Sequence, residues 1–506
     1  MKPVQRTFGR DFLEIAERRS REVAFVTPRD VDTAELTYGQ VALLVRRCWT
    51  LFRQHGLAPG DTVMGIMPNA PDTLVLLYAA LAAGMKYAPL ACTATEAEVT
   101  RWGRLVRPSL ALVSDLLPAA LQESVKGLGV PVTRVTADGA FGWLPPAEAE
   151  AGFAAGKLLL STSGTTGEPK AMVIDGDTLW AAACAFADFH YLRGRAPRFW
   201  NYLPVSYLGG LFNLGLIPLA AEGSVVVDDT FSGKTYLTYW QFVERHGIDT
   251  LWLVPTIVRG LVTLGRAARR RVRDLESLVQ RCFLGTAPID LGTKREFEVM
   301  FGQTLLENYA LSETTFLTSE TPATLEHRSE GSVGEVLPGV ELEFRPVREA
   351  ESGESVQEVR VRTPFLFDGY LGEGGVVSRP VDDEGWFPTG DLGQFNDGGA
   401  LVITGRTRDV VKKGGYLIAL REIERIAEGL EGVQEAAAVR VRHDFYGESY
   451  VLYVVPAKPA GDGFREQTAR ALHAQLASYR WPEEVLVAES LPKTSSGKIR
   501  KGLLAR

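Results

Sequence analysis

The sequence predicts an α/β fold: a large N-terminal domain of parallel α/β layers with a β-barrel-like region, then a small α+β C-terminal domain. Three observations predict it. Apolar β-rich runs alternate with helical patterns over the first 330 or so residues. From about Gly331 the texture changes to short alternating segments broken by glycine. A compact mixture of helix and strand patterns then closes the sequence, and 506 residues are too many for one ordinary domain.

Residues 36–58 place Val41, Leu44 and Trp49 at helical spacing and stop at His55-Gly56, which predicts an amphipathic helix. A strand follows at 62–67. The segment PDTLVLLYAALAAGMKYAPLA predicts a buried helix ending near Gly84 and an extended stretch at 86–90. Runs at 111–114, 157–161, 224–228, 250–255 and 281–285 read as strands, most of them in a parallel sheet. Residues 331–400, including GSVGEVLPGVELEFRPV and ESVQEVRVRTPFLFDGYL, read as antiparallel β. A polar, glycine-containing junction occupies 400–415. Beyond it REIERIAEGL reads as a helix, and AAAVRVRHD, YVLYVVPA and EEVLVAES read as strands around the helix FREQTARALHAQLA. The domains are therefore 1–407 and 408–506.

Hydrophobic residues at 45% and charged residues at 23% describe an ordinary globular protein able to bury a large core. Lysine and arginine number 55 against 62 acidic residues, a net charge of −7 and the reverse of a nucleic-acid-binding footprint, so no nucleic-acid partner is expected. Cys48, Cys92, Cys184 and Cys282 are widely spaced without a CxxC pair, which argues against a disulfide framework or zinc ribbon and fits a reducing cytoplasm. The N-terminal MKPVQRTFGRDFLEIAERRSREVAF breaks its apolar residues with charges, unlike a signal peptide, and no apolar run reaches membrane-spanning length. A cytoplasmic monomer or homodimer is expected.

The most informative segment is 158–173, LLLSTSGTTGEPKAMV: a buried strand opening into a hydroxylic, glycine-rich loop with one lysine. Gly164 and Gly167 allow backbone amides to approach an anion, while Ser161, Thr162, Ser163, Thr165, Thr166 and Lys170 add donors and charge suited to a triphosphate. The spacing is not that of a P-loop, because Lys170 is preceded by proline and followed by alanine. Alone, the segment reads equally as a surface turn.

It has company. LTYGQ, PGDTV, PNAPDTLVLLYAALAAGMKYAPL, NYLPVSYLGGL, LVPT, GTAPI, NYALSE, GSVGEVLPGVE, GWFPTGDLG, GRTRDVVKKGGY and LPKTSSGKIRK follow in an order that resembles the adenylate-forming superfamily of acyl- and aryl-CoA synthetases, peptide-synthetase adenylation domains and luciferases. The resemblance implies that a carboxylate attacks the α-phosphorus of ATP with Mg²⁺, releasing pyrophosphate and forming acyl-AMP. A thiol, from coenzyme A or the phosphopantetheine of an acyl carrier protein, then takes the acyl group. It further implies that Thr286, Ala287, Pro288, Asn308, Tyr309 and Ala310 surround the nucleotide, with Tyr309 facing adenine. Ser312 lies near the α-phosphate, Glu313 is the magnesium carboxylate, and Asp391 and Arg406 contact the ribose. Lys498 is the adenylation lysine, Lys413, Gly414 and Gly415 line the thiol passage, and the small domain rotates about Arg408. Without the resemblance, these residues read as turns, surface charges and a basic tail.

The implied acid pocket draws on Trp200, Tyr207, Leu208, Gly209, Asn213 and Gly285, mostly apolar or small. Tyr207 stands where acyl-CoA synthetases often have His and many peptide-synthetase domains an Asp, which argues against an ordinary α-amino acid and for an aryl, medium acyl or modified polyketide-like acid. The basic run at 266–273 suits a carrier protein, a coenzyme phosphate, or simply solvent. Thr286, Leu420 and Gly414 depart from the family pattern and bear on the thiol step. The competing readings are an adenylation enzyme for an amino acid or a non-thiol acceptor, and a silent nucleotide-binding relative.

Overall fold

The computed structural model describes residues 7–28, 33–136, 140–148, 153–162, 170–268, 278–349, 355–372, 375, 377–459, 461, 463–493 and 499–504. Two large sheets carry most of the chain. The first has nine strands in the order Glu335–Val336, Thr315–Ser319, Leu305–Leu311, Arg281–Leu284, Thr250–Leu253, Arg198–Asn201, Ser224–Val227, Val23–Thr27 and Ala34–Thr37. Its six central strands are parallel, and antiparallel strands finish both edges. The second has eight: Val377–Ser378, Gly369–Leu371, Lys170–Asp175, Lys157–Thr162, Lys86–Pro89, Thr62–Ile66, Leu110–Ser114 and Val132–Val135. Its last five are parallel.

The local reasons are readable. Helix Tyr38–Gln54 starts at a reciprocal cap, in which the Thr37 hydroxyl accepts from the Gln40 amide and the Gln40 side chain accepts from the Thr37 amide. It stops before Gly56 at φ 70°. Helix Pro71–Ala82 is buried at all twelve positions, which explains its unbroken apolar sequence.

The 331–400 region contributes an antiparallel sheet of Glu341–Glu349, Ser355–Arg362, Phe387–Phe395 and Leu401–Arg406. Beyond it, Tyr416–Ala419, Val410–Lys413, Gly447–Pro456 and Val433–His443 form a sheet with Glu484–Val487 paired parallel to Gly447–Pro456. Helices Leu420–Glu428 and Phe464–Gln475 pack on it around their own core, including Ile423, Leu452 and Leu472. This is the α+β arrangement expected.

One buried charge network fixes the edge of the nine-stranded sheet. Lys294, on helix Leu291–Phe301, reaches Glu307 at 2.8 Å and Glu320 at 3.0 Å, and Arg328 reaches Glu320 and Glu298 at 2.8 Å each. The Glu307 amide also donates to Glu320 at 2.8 Å. Three carboxylates face two cations. Burial, only partly offset by Lys294, pushes the Glu307 carboxyl up to about 7.

Lys294→Met leaves buried carboxylates without their ammonium and should lower the unfolding free energy by about 3–5 kcal/mol in urea denaturation. The raised Glu307 pKa means that the fold holds this proton more tightly than the unfolded chain does. That stabilisation is complete below the ordinary value of 4.5 and fades as pH rises through about 7. Glu307→Gln should therefore flatten the dependence of Tm on pH between about 5 and 7.

Candidate active site

Three sheets deliver the site residues. Strand Leu305–Leu311 carries Asn308, Tyr309 and Ala310, and a register shift between Tyr309 and Ala310 re-aims the chain. The Tyr309 hydroxyl donates to Asp391 Oδ2 at 2.7 Å, and Asp391 Oδ1 accepts from Arg406 Nε at 2.8 Å. Asp391 and Arg406 oppose one another across their antiparallel strands. Burial and then the Asp391 charge push the Tyr309 hydroxyl well above the ordinary tyrosine range, which keeps it a donor.

A second cluster adjoins the first through the turn at 312–314. Glu313 accepts from the Tyr370 hydroxyl through Oε1, and its carbonyl accepts from the Phe367 amide at 2.8 Å. Lys170 Nζ lies 5.3 Å from the centroid of the Tyr370 ring. Ser312 is exposed in the turn. Lys170 opens its strand opposite Thr162, so the two residues that flank the glycine-rich segment are paired. Ser161 is the next residue in and is exposed. Ser163, Gly164, Thr165, Thr166 and Gly167 lie outside the described residues, as do the Thr162 side chain and Lys498.

The 285–288 segment follows strand Arg281–Leu284. A Cβ at Gly285 would lie 2.5 Å from Asn308 Oδ1, so glycine permits the approach of that amide. Thr286 adopts φ 81°, costly for a β-branched residue, and its hydroxyl is buried without a partner among the described residues. The Asn308 Nδ2 is unpartnered in the same way. Ala287 is half-buried and Pro288 exposed.

On the acid side, Gly209–Leu216 is a π-helical segment. Asn201 caps two of its carbonyls, donating to Gly210 at 2.9 Å and Leu214 at 3.2 Å. Tyr207 and Leu208 are half-buried, Gly209 and Asn213 buried. A Cβ at Gly209 would lie 2.4 Å from the Tyr207 hydroxyl, so the ring folds over this glycine. Trp200, expected in the pocket, is instead core: it is 1% exposed, stacks on Phe242 at 4.2 Å and donates to Asp228 at 3.2 Å. Its place on a central parallel strand buries the side chain whichever way it faces.

Lys413 requires a similar correction. Its ammonium is tied within the small domain to the Trp481 carbonyl at 2.9 Å and to Glu483 at 2.8 Å, so it does not line a passage. Gly414 and Gly415, at φ 56° and 86°, form the two-residue turn of the adjoining hairpin. Arg408 is exposed, its carbonyl held by Arg440 at 2.6 Å. Of the basic run, Arg266 pairs with Glu296, and 269–273 lie outside the described residues. Tyr370 was not singled out from sequence: it sits in DGYL, and its partner Glu313 is 57 positions away.

The AMP-binding enzyme model matches residues 12–371, and the AMP-binding enzyme C-terminal domain matches 422–498. The chain belongs to the AMP-binding enzyme family. It is similar to the sulfoacetate–CoA ligase of Cupriavidus necator, 30% identical over 480 residues that cover 92% of this chain and 91% of that protein. The oxalate–CoA ligase of Arabidopsis thaliana is 27% identical, covering 93% of each. Among solved structures, ATP-bound MatB from Rhodopseudomonas palustris aligns over 98% of each chain with a TM-score of 0.85 and 25% identity. This AMP-binding enzyme is an ATP-dependent, AMP-forming acid–thiol ligase, which activates a carboxylic acid to acyl-AMP and then transfers the acyl group to a thiol. No helix among its described residues is long and apolar enough to cross a membrane.

The strained Thr286 gives a direct test of local geometry. Thr286→Gly should raise the unfolding free energy by about 1 kcal/mol, measured by thermal denaturation, by relieving a left-handed conformation and an unpaired hydroxyl.

Proposed function

We propose that the acid is short, with a neutral distal end, and that the acceptor is coenzyme A. The observation that carries the nucleotide half is a pair of contact chains, Lys170–Tyr370–Glu313 and Tyr309–Asp391–Arg406, joined by the short stretch of backbone from 309 to 313. Tyr309 offers adenine a flat face, Asp391 and Arg406 meet the ribose, and Lys170 with residues 161–167 meets the phosphates. Glu313 would hold Mg²⁺. Its second carboxylate oxygen is available to a hard cation, and among the described residues no three His, Cys, Asp or Glu converge to make an all-protein cage. A single carboxylate fits a Mg²⁺ that takes its other ligands from phosphate and water, and such an ion would neutralise charge on the departing pyrophosphate.

Chain length is limited by aromatic packing. Phe186, Phe212, Trp252, Phe283 and Phe316 are buried in contact, with centroids of 4.4 Å for Phe186–Phe316, 5.4 Å for Trp252–Phe316 and 5.8 Å for Phe212–Phe316. Through Phe212 they pack directly against the π-helical segment, which in this reading leaves no room there for a long acyl chain. Tyr207 and Asn213 are neutral polar contacts for the distal end, and the Asn213 amide has no partner among the described residues. The names of the sulfoacetate and oxalate ligases support a short acid, and the acid-side residues Tyr207, Leu208, Gly209 and Asn213 offer no cation to a second anion.

In this reading a substrate carboxylate oxygen attacks the α-phosphorus and pyrophosphate leaves; the thiol sulfur then attacks the acyl carbon and AMP leaves. Positioning and charge stabilisation do the catalysis. Lys498 supplies positive charge at the α-phosphate in this reading; of its neighbours in sequence, Lys493 and Ile499 pair with one another. Residues 1–407 and 408–506 act as the two domains, with Arg408 as the pivot that brings Lys498 or the Gly414-Gly415 turn to the site. The four unpaired cysteines support a cytoplasmic location.

Acid-dependent pyrophosphate release from MgATP, across short, aryl, fatty and amino acids, tests this. Short neutral-ended acids should respond best, with turnover raised more by coenzyme A than by a holo carrier protein. Preference for aryl or long acids, or for the carrier, would overturn it. Lys498→Ala should cut acyl-AMP formation by about 10²–10³-fold and leave conversion of supplied acyl-AMP to thioester intact.

A further inference from the structure

We infer that Tyr370 is a positioning residue for the metal–triphosphate end of ATP, acting on Glu313 with its hydroxyl and on Lys170 with its ring. The inference rests on the proposed roles of those two residues. Its geometry is independent of them. Gly369 and Tyr370 lie on a short strand paired antiparallel to Lys170–Asp175, with Tyr370 opposite Met172. Lys170, two residues from Met172, is then the diagonal neighbour of Tyr370 on the same face, within reach of a long side chain. The hydroxyl leaves that face to donate to Glu313, in the turn between two strands of the nine-stranded sheet. One side chain thus sets the spacing between a cation and a carboxylate.

The segment that bears it is fastened on several sides. The Phe367 amide donates to the Glu313 carbonyl at 2.8 Å, Lys157 pairs with Asp368 at 2.6 Å, and Arg379 Nε donates to the Phe367 carbonyl at 2.8 Å. Phe367 packs edge-on to the Tyr370 ring at 4.9 Å. Gly369, at φ 144°, has no room for a side chain, since a Cβ would lie 2.4 Å from the Ser378 carbonyl oxygen. Tyr370 has little freedom to point elsewhere. A carboxylate held through one oxygen presents the other to a cation in a fixed direction, and an ammonium seated on a ring face is fixed in position relative to that carboxylate.

The two arms separate by substitution. Tyr370→Phe removes the hydroxyl and keeps the ring, whereas Tyr370→Leu removes both. With the intact enzyme, calorimetry of ATP binding at varied Mg²⁺ and in EDTA should show Tyr370→Phe weakening binding by about 10-fold in Mg²⁺ and little in EDTA. Tyr370→Leu should weaken it in both. In steady state, Tyr370→Phe should raise the half-saturating Mg²⁺ while kcat stays within about 3-fold, and supplied acyl-AMP should be converted normally. Its effect should not add to that of Glu313→Gln, because both act through one carboxylate. An unchanged Mg²⁺ dependence, or additive effects, would overturn the inference while Glu313→Gln and Lys170→Ala remained impaired. If those two variants bind MgATP normally, the underlying reading of the site fails instead. Tyr370→Phe is close in shape and carries the test should Tyr370→Leu not fold.

Discussion

The site depends on how the strand bearing Asn308 and Tyr309 is held where the parallel part of its sheet gives way to antiparallel strands. Lys294 and Arg328 meet Glu307, Glu320 and Glu298 there, joining a helix, a strand and the segment that follows the next strand. Replacing such charges by apolar residues often costs nothing in stability, so their value lies in specification. Glu307 is adjacent to Asn308, and a slip of one residue would exchange the faces of Asn308 and Tyr309. An ion pair with defined partners resists that slip in a way interchangeable aliphatic contacts do not.

From that strand the site spreads by contacts between sheets. Tyr309 reaches Asp391 in the four-stranded sheet, and Glu313 reaches Tyr370 in the eight-stranded one. Each bridge pairs a neutral hydroxyl with a carboxylate, so each acid is oriented without losing its charge. The positive groups, Arg406 and Lys170, lie at the outer ends of the two bridges. The resulting charge pattern suits a ligand whose ribose and phosphates lie along it.

What was legible in the sequence was what is local or repeated. Helix Tyr38–Gln54 announces itself through apolar spacing and a His-Gly stop. The central strands announce themselves as apolar β-branched runs, because both faces are buried. Motifs bring Tyr309, Glu313, Asp391 and Arg406 to attention, and these do cluster. Tyr370 escaped because its value lies in partners on two other strands. Trp200 misled because an aromatic near a binding motif reads the same in core or pocket. Lys413 misled because its Trp481 and Glu483 partners are about 70 residues away. The π-helical segment has no sequence signature: its widened turns are matched by Asn201, contributed from the strand before it.

Tyr309, Asp391 and Arg406 share one carboxylate, and this has a consequence for divergence within the family. Asp391 is oriented by Tyr309 within the fold, so a change at Tyr309 alters both the face offered to a base and the aim of an acid 82 positions away. Arg406 constrains the same acid from its other oxygen. Drift at any one of the three is penalised until another compensates. Related chains should therefore exchange these residues as a set, and positions 309, 391 and 406 should co-vary more strongly than their separation in sequence suggests.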